Sequence, residues 1–233
     1  PSFSSIRRHT RFGFKSRGLG DVYKRQLHHD SEGIQSVPHE LWEKLIVARG
    51  YRGVVFDCDG TLVESAEAHF NAFRDATSVQ GQALDEDWYL QRTGLDRRSL
   101  LSEFALSVGA EFDVPRAVEH SISAFKDHVH LVRPVAHTSE LLLSISSELS
   151  VAVGTNAEAE VARASLTATG LIEFIQVVVS ISDGLPPKPA PDIFATAAKK
   201  LDCDPLSTLV VEDSKQGVAA ARAAGMNVLL VTE

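Results

Sequence analysis

The 233-residue sequence predicts a doubly wound α/β fold, a parallel sheet with helices on both faces and an all-helical segment inserted after its first strand. The first observation is that short β-rich runs alternate with helical segments from residue 149 onwards, a pattern typical of parallel strands joined by right-handed crossovers. The second is a buried-type β run at residues 54–56. The third is that residues 66–134 contain no convincing strand, so they form the insert.

The chain before the first strand is predicted to be an N-terminal extension over residues 27–50. Residues 27–37 are polar and unpatterned, whereas residues 39–47 have the spacing of a short amphipathic helix, with Pro38 near its start. This extension leads directly into the strand at residues 54–56.

The insert is predicted to be an α-helical cap. Its first helix begins at Ser65 and places apolar residues at helical spacing, and its second closes at Gly94. Two further helices are predicted over residues 97–106 and 114–132.

The core domain is predicted to comprise residues 51–65 and 135–233. Its later strands and helices alternate along the chain. The strands are predicted at 149–154, 176–179, 208–211 and 227–231, and the helices at 157–169, 191–201 and 215–224.

Residues 1–26 differ in composition from the rest, with seven Lys and Arg side chains against the single acid Asp21. Such a start also occurs in organelle transit peptides. However, residues 16–26 resemble the in-frame translation of a transposase-type sequencing adaptor. We therefore predict that residues 1–26 are a non-native, disordered artefact; without them, 16 basic and 30 acidic side chains give a formal charge of −14.

Composition restricts the class of function. A hydrophobic content of 44% is enough for a large core in one or two domains, and no apolar run approaches the roughly 20 residues that cross a bilayer. The acidic balance argues against nucleic acid as a partner, and two cysteines are too few for a disulfide framework. We expect a cytoplasmic monomer that binds neither nucleic acid nor membrane.

The strand at residues 54–56 ends in two carboxylates, Asp57 and Asp59, and then in Gly60, which permits a sharp turn. A carboxylate held at such a strand end can ligate a divalent cation or attack an electrophile. The same Asp-x-Asp-Gly pattern also occurs in calcium loops and in ordinary turns, so the motif alone leaves these alternatives open.

Polar residues also follow the other predicted strands, and parallel strands bring their carboxyl ends to one sheet edge. Each has a plainer explanation: a helix cap for Thr155 or Asn156, a surface lysine for Lys188, and acids at a helix start for Glu212 and Asp213. Their joint placement at one edge is what these separate explanations leave unexplained.

Together these groups describe metal-assisted phosphoryl transfer through an aspartyl phosphate. Asp57 is the predicted nucleophile and Asp59 the predicted general acid and base. The predicted ligands of Mg²⁺ are Asp57, the backbone carbonyl of Asp59, Glu212 and Asp213. The predicted contacts of the phosphate oxygens are Thr155, Asn156, Lys188 and the turn amide of Gly60.

Over residues 52–231 these motifs resemble, in order, the four motifs of the haloacid dehalogenase-like phosphotransferase superfamily. The resemblance implies a Rossmann-like core, Mg²⁺, an aspartyl-phosphate intermediate and an α-helical cap that closes over the site. Within the superfamily, residues 65–70, 93–97, 188–194 and 212–214 look like those of β-phosphoglucomutases and related sugar-phosphate phosphatases.

One departure concerns the residues after Thr155. The mutases generally place a small polar residue and then a lysine there, whereas this chain has Asn156-Ala157-Glu158, and a glutamate repels a second phosphate. By the same resemblance, the cap residues Arg97 and His69 are candidate substrate contacts, although a histidine on an amphipathic helix is also often a packed one.

The sequence therefore predicts a Mg²⁺-dependent phosphatase of small phosphorylated metabolites, sugar phosphates foremost. A β-phosphoglucomutase-type isomerase is the alternative, supported by Arg97 and His69. A non-catalytic acidic α/β binding protein is the second alternative, and the Asp57 and Asp59 pair counts against it.

Overall fold

The computed structural model describes residues 27–30, 33–109 and 111–231, so the predicted disorder of residues 1–26 concerns residues outside this part. The strands are β1 (Leu27–Asp30), β2 (Gly33–Ser36), β3 (Gly53–Phe56), β4 (Val63–Glu64), β5 (Arg133–Pro134), β6 (Ser150–Thr155), β7 (Val177–Ser180), β8 (Thr208–Glu212) and β9 (Asn227–Leu230).

The helices alternate with these strands in the core and follow one another in the insert. They are α1 (Trp42–Ala48), α2 (Ala66–Ser78), α3 (Glu86–Leu90), α4 (Arg97–Val108), α5 (Val114–His128), α6 (Ala136–Ile145), α7 (Ala159–Ala168), α8 (Asp192–Lys200) and α9 (Lys215–Ala223). Short 3-10 turns cover His39–Leu41, Val129–Leu131, Leu171–Phe174, Ile181–Asp183 and Pro205–Ser207.

In the described residues the main sheet has seven strands in the order β2-β1-β9-β8-β3-β6-β7, and the five from β9 to β7 are parallel. The register places Phe56 opposite both Val153 and Val211, so β3, β6 and β8 end at nearly the same level. The predicted α/β fold with a parallel sheet is confirmed.

The central strand is buried on both faces, and alternate side chains enter different cores. Val54 and Phe56 pack toward α1, α6 and α7, where Trp42 and Leu142 are buried. Val55 faces the opposite side, among the buried residues of α8 and α9. This two-sided burial explains why the strand is a continuous apolar run rather than an alternating one.

The insert has a core of its own, in which aromatic side chains from α2, α3 and α4 meet, among them Phe70, Tyr89 and Phe104. It leaves and rejoins the sheet domain through β4 and β5, which pair antiparallel, with Glu64 opposite Arg133. The helical nature of the insert agrees with the prediction, and the division at residues 65/66 and 134/135 stays a prediction.

The structure contains the two-residue strand β5 inside residues 66–134, where no strand was predicted, and it differs from the prediction at two longer segments. Residues 27–37, predicted to be unpatterned, contain the β1–β2 hairpin, in which β1 pairs antiparallel with β9, the outermost of the parallel strands on that side. Helix α6 lies in residues 135–148, where no element was predicted. Four-residue strands carry little periodicity, and the serines around Leu141 and Leu142 weaken a helical pattern that burial on the sheet stabilises.

Among the described residues, no helix is both long enough and apolar enough to span a bilayer.

Candidate active site

The ends of β3, β6 and β8 bring the predicted site residues together at one edge of the sheet. Asp57 follows β3 and its amide donates to the carbonyl of Val211 on β8 (2.9 Å). Oxygen atoms of Asp57, Glu212 and Asp213 all lie within 4.8 Å of one another. The alternative of an isolated calcium loop or turn does not account for this convergence of carboxylates from two strands.

Lys188 is the cation that joins these carboxylates. Its Nζ contacts Asp57 Oδ1 and donates to Glu212 Oε2 (2.9 Å), and it lies 4.4 Å from the centre of the Phe194 ring. The side chain is only 3% exposed. It is therefore a buried, ion-paired lysine, and not the surface lysine that the sequence left open.

Asn156 holds the loop that carries this lysine. Its Oδ1 accepts a hydrogen bond from the Lys188 amide (2.8 Å), and its Nδ2 donates to the Lys188 carbonyl (3.5 Å). The structure thus gives Asn156 a supporting contact beneath the site. Its predicted contact with phosphate stays a prediction.

Asp57, Glu212 and Asp213 lie close to a single described lysine, Lys188, and this excess of negative charge shifts their pKa values. Burial and the neighbouring Glu212 raise the pKa of Asp57 well above its usual value, although Lys188 opposes this. Burial and Glu212 also raise the pKa of Asp213, to about 7. For Glu212, Lys188 outweighs burial and holds the pKa below its ordinary value. Three clustered oxygen ligands with one lysine between them are a donor set that suits Mg²⁺.

Asp59 is oriented by two side chains of the following segment. Ser65 donates a hydrogen bond to Asp59 Oδ1, and His69 Nε2 lies 3.2 Å from the same oxygen. Burial raises the pKa of Asp59, but His69 and Ser65 outweigh it and hold that pKa below its usual value. The ionised form of Asp59 is therefore favoured, and a negative group bound nearby would raise its pKa.

Ser65 occupies the N-cap position of α2, as predicted, but its hydroxyl makes no capping hydrogen bond to the helix. The hydroxyl is used by Asp59 instead. A residue type that is typical of helix starts is here part of the candidate site, and sequence spacing alone does not distinguish the two uses.

Gly60 and Thr61 pack the acidic turn against Asp213. Gly60 has φ +88°, and a Cβ built on it lies 2.3 Å from Asp213 Oδ2, so this position requires glycine. Thr61 Oγ1 donates to Asp213 Oδ1 (3.0 Å). The Gly60 amide donates to the Val63 carbonyl (2.8 Å), so the structure does not offer this amide to a phosphate as predicted.

Thr155 is buried at the end of β6, and its Oγ1 accepts a hydrogen bond from the Ala157 amide (3.0 Å). This contact is local, and helix α7 begins only at Ala159. Because the hydroxyl acts as an acceptor here, its own hydrogen can donate to a phosphate oxygen.

The two cap candidates, His69 and Arg97, contact each other. His69 packs against the Phe125 ring at a centroid distance of 4.6 Å, and its Nδ1 lies 3.5 Å from Arg97 Nη2. His69 is thus both packed and in contact with a candidate catalytic carboxylate. Arg97 is buried and paired with Glu158, the residue that departs from the mutase pattern.

Gly217, in the first turns of α9, is a site residue that the sequence did not reveal. A Cβ built on it lies 1.8 Å from Glu212 Oε2, so α9 packs directly on the carboxylate that pairs with Lys188. The Gly- and Ala-rich composition of residues 215–224 was the available signal.

Gly217→Ala is therefore expected to displace Glu212, to lower stability by about 1–3 kcal/mol and to reduce activity, although alanine ordinarily favours a helix by about 1 kcal/mol. Urea unfolding and phosphate release measure the two effects. A variant as stable and active as the parent contradicts this contact.

One class of hydrolases combines the three features described above: carboxylates at the sheet edge, a buried lysine and a helical insert. The chain belongs to the haloacid dehalogenase-like hydrolase family, whose model matches residues 54–231. The predicted superfamily and the prediction of a hydrolase of this type are confirmed.

Individual relatives come from both predicted subgroups. The chain is 28% identical over 178 residues to the fructose-1-phosphate phosphatase YqaB of Escherichia coli, covering 76% of this chain and 94% of that protein. It is 27% identical to the β-phosphoglucomutase of Bacillus subtilis, covering 75% and 80%. The crystal structure of CbbY from Rhodobacter sphaeroides in complex with phosphate superposes with a TM-score of 0.70 at 23% identity, covering 76% and 84%, which supports the fold.

Proposed function

We propose that the protein is a Mg²⁺-dependent phosphatase that hydrolyses small phosphorylated metabolites, sugar phosphates foremost, through an aspartyl phosphate on Asp57. The observation that carries the proposal is the convergence of Asp57, Glu212 and Asp213, two of which, Asp57 and Glu212, pair with Lys188. Asp59 is held by its own hydrogen bonds. The fructose-1-phosphate phosphatase among the relatives supports the substrate class.

In the first step, an Asp57 carboxylate oxygen attacks phosphorus while the bond from phosphorus to the alcohol oxygen breaks, and Asp59 gives its proton to the departing alcohol. In the second step, Asp59 takes a proton from water as the water oxygen attacks phosphorus and the bond to Asp57 breaks. Lys188 and Thr155 bind the equatorial oxygens of the phosphoryl group, where charge develops.

Mg²⁺ fits the oxygen set of Asp57, Glu212 and Asp213, and when bound it screens the negative charge of the nucleophile from that of the phosphoryl group. The predicted contribution of the Asp59 carbonyl stays part of this proposal, since the Asp59 side chain is engaged by Ser65 and His69.

Metal binding has a direct readout in stability. We expect millimolar Mg²⁺ to raise the melting temperature of the protein, because a ligand that binds only the folded state stabilises it. In Asp213→Asn, the Mg²⁺ concentration at the midpoint of this rise is expected to be at least about tenfold higher than in the parent. Asp127→Asn, at an exposed cap residue, is the matched control. Equal midpoints for Asp213→Asn and the parent contradict the metal assignment.

The phosphatase itself is tested by phosphate release from sugar phosphates, phosphoglycolate and nucleotides, with and without Mg²⁺. Release from at least one sugar phosphate, dependent on Mg²⁺, is expected. Conversion of β-glucose 1-phosphate into glucose 6-phosphate without free phosphate indicates the mutase alternative. No release across the panel contradicts the proposal and favours the non-catalytic binding protein.

A cytoplasmic location and a monomeric state remain parts of the proposal. The free cysteines Cys58 and Cys203 are compatible with a reducing compartment. Sedimentation of the full chain measures the oligomeric state.

A further inference from the structure

We propose that Glu158 is a specificity-determining residue that, by neutralising Arg97 on the cap side of the site, selects substrates with one phosphate over those with a second phosphate at the far end. This inference rests on the proposed function, because it names the substrate class of the same site. It assigns a role to a pair of residues that the hydrolytic steps leave unused.

The pair lies between the insert and the sheet domain. Arg97 is the first residue of α4, and Glu158 immediately precedes α7 at the carboxyl end of β6. Arg97 Nε donates to Glu158 Oε2 at 2.8 Å. Through His69, which lies 3.5 Å from Arg97 and 3.2 Å from Asp59, the pair is two contacts away from the candidate acid and base.

The nitrogen atoms of Arg97 are all engaged. Besides the bond from Nε to Glu158, Nη1 donates to Ser121 Oγ (3.0 Å) and Nη2 faces His69. The guanidinium also lies 4.9 Å from the centre of the Phe73 ring, and the side chain is only 3% exposed. Arg97 is therefore held in place by contacts with protein groups and is not extended toward a substrate.

The ion pair between Arg97 and Glu158 determines how much positive charge the two residues offer to a substrate. Lys188, the other buried cation described at the site, is already shared between Asp57 and Glu212. With Arg97 paired to Glu158, the charge of this guanidinium is balanced and is not available to a second phosphate. A transferred phosphate retains its own partners, whereas a distal phosphate meets a neutral ion pair. The more accessible member of that pair, Glu158 (14% exposed against 3% for Arg97), is negative.

Substitutions in the two members predict opposite effects. Glu158→Gln preserves the shape of the side chain and leaves the guanidinium charge unbalanced, so it should tighten the binding of a bisphosphate at least about tenfold. Arg97→Gln leaves the carboxylate unbalanced and should weaken bisphosphate binding by at least about tenfold. Both should change monophosphate binding less than about threefold.

The probes are fructose 1-phosphate and fructose 1,6-bisphosphate, titrated calorimetrically with Mg²⁺ present. Each substitution is made in the Asp57→Asn chain, so that the expected loss of turnover leaves the ligands intact. Because binding is measured without turnover, its outcome is separate from that of the phosphate-release assay. If one variant fails to fold, as judged by its thermal melt, the other still tests the proposal.

Glu160→Gln is the matched control. Glu160 lies two residues further along the chain and pairs with Lys126 of α5 at 2.6 Å, but both partners are exposed, with 53% and 54% of their side chains accessible. The substitution Glu160→Gln removes one negative charge, as Glu158→Gln does, but from a different ion pair between the insert and α7. The ratio of the two dissociation constants should therefore stay at the parental value in Glu160→Gln.

The proposal is overturned if Glu158→Gln leaves the ratio of bisphosphate to monophosphate dissociation constants unchanged, or if Glu160→Gln changes it equally. It is also overturned if the parent already binds the bisphosphate more tightly than the monophosphate. A shift of the ratio in opposite directions in Glu158→Gln and Arg97→Gln supports it.

Discussion

Asp57→Asn is expected to reduce phosphate release at least about 10⁴-fold with any substrate the parent hydrolyses. An amide is a poor nucleophile, so no covalent phosphoenzyme forms, and Lys188 and Asp59 cannot replace the missing bond to phosphorus. The measurement is the initial rate of phosphate release, with Asp127→Asn as a control at an exposed aspartate. A variant within tenfold of the parent rate contradicts the nucleophile assignment.

The same substitution should preserve or increase stability, which separates loss of chemistry from loss of fold. The pKa of Asp57 is raised by burial and by Glu212, so its ionised form costs folding free energy near neutral pH. Asparagine removes that charge, while Lys188 keeps its pairing with Glu212. Urea unfolding of the two chains should therefore show a midpoint for Asp57→Asn that is equal to or higher than that of the parent.

Lys188→Met is expected to damage both stability and activity. Removing the lysine leaves Asp57 and Glu212, which are both buried, without their cation, at a cost of about 3–5 kcal/mol when they are ionised. It also removes a donor to the phosphoryl oxygens, for which about a 10²- to 10³-fold loss of kcat is typical. Lys199→Met, at an exposed lysine of α8, is the control and should change neither quantity.

The stability loss in Lys188→Met should depend on pH in a known direction. The pKa values of Asp57 and Asp213 are already raised, the latter to about 7, and loss of a neighbouring cation raises the pKa of Asp57 further. As the pH falls from 8 to 5, these acids gain protons and their repulsion declines. The destabilisation relative to the parent, measured without metal, should be smaller at pH 5 than at pH 8; a larger loss at pH 5 contradicts this electrostatic account.

The candidate catalytic edge was predictable because it depends on topology more than on side-chain detail. Once β3, β6 and β8 are parallel and in register, Asp57, Thr155 and Glu212 must end near one another, whatever their rotamers. The apolar runs before these residues are long enough to identify each strand. Lys188 could be placed only by its loop, and its burial between two acids came from the structure.

What could not be predicted depends on contacts between distant residues or on the choice between two local partners. The ion pair of Arg97 and Glu158 joins residues 61 positions apart, and no spacing rule connects a cap helix to the start of α7. Ser65 had two competing uses in reach: its oxygen could accept from a backbone N–H at the start of α2, or its hydroxyl could donate to Asp59. Tertiary packing determines which bond forms. The Gly60 amide likewise bonds within its own turn.

The most direct test of the central claim, a covalent intermediate on Asp57, is to trap it. Full-chain protein mixed with a hydrolysed sugar phosphate and Mg²⁺ is quenched in acid within one turnover and reduced with borohydride, which converts an aspartyl phosphate into homoserine. Peptide mass spectrometry should then find homoserine at position 57 in the parent and not in Asp57→Asn. Unmodified Asp57 in samples that have released stoichiometric phosphate, or reduction at a different carboxylate, would contradict the account.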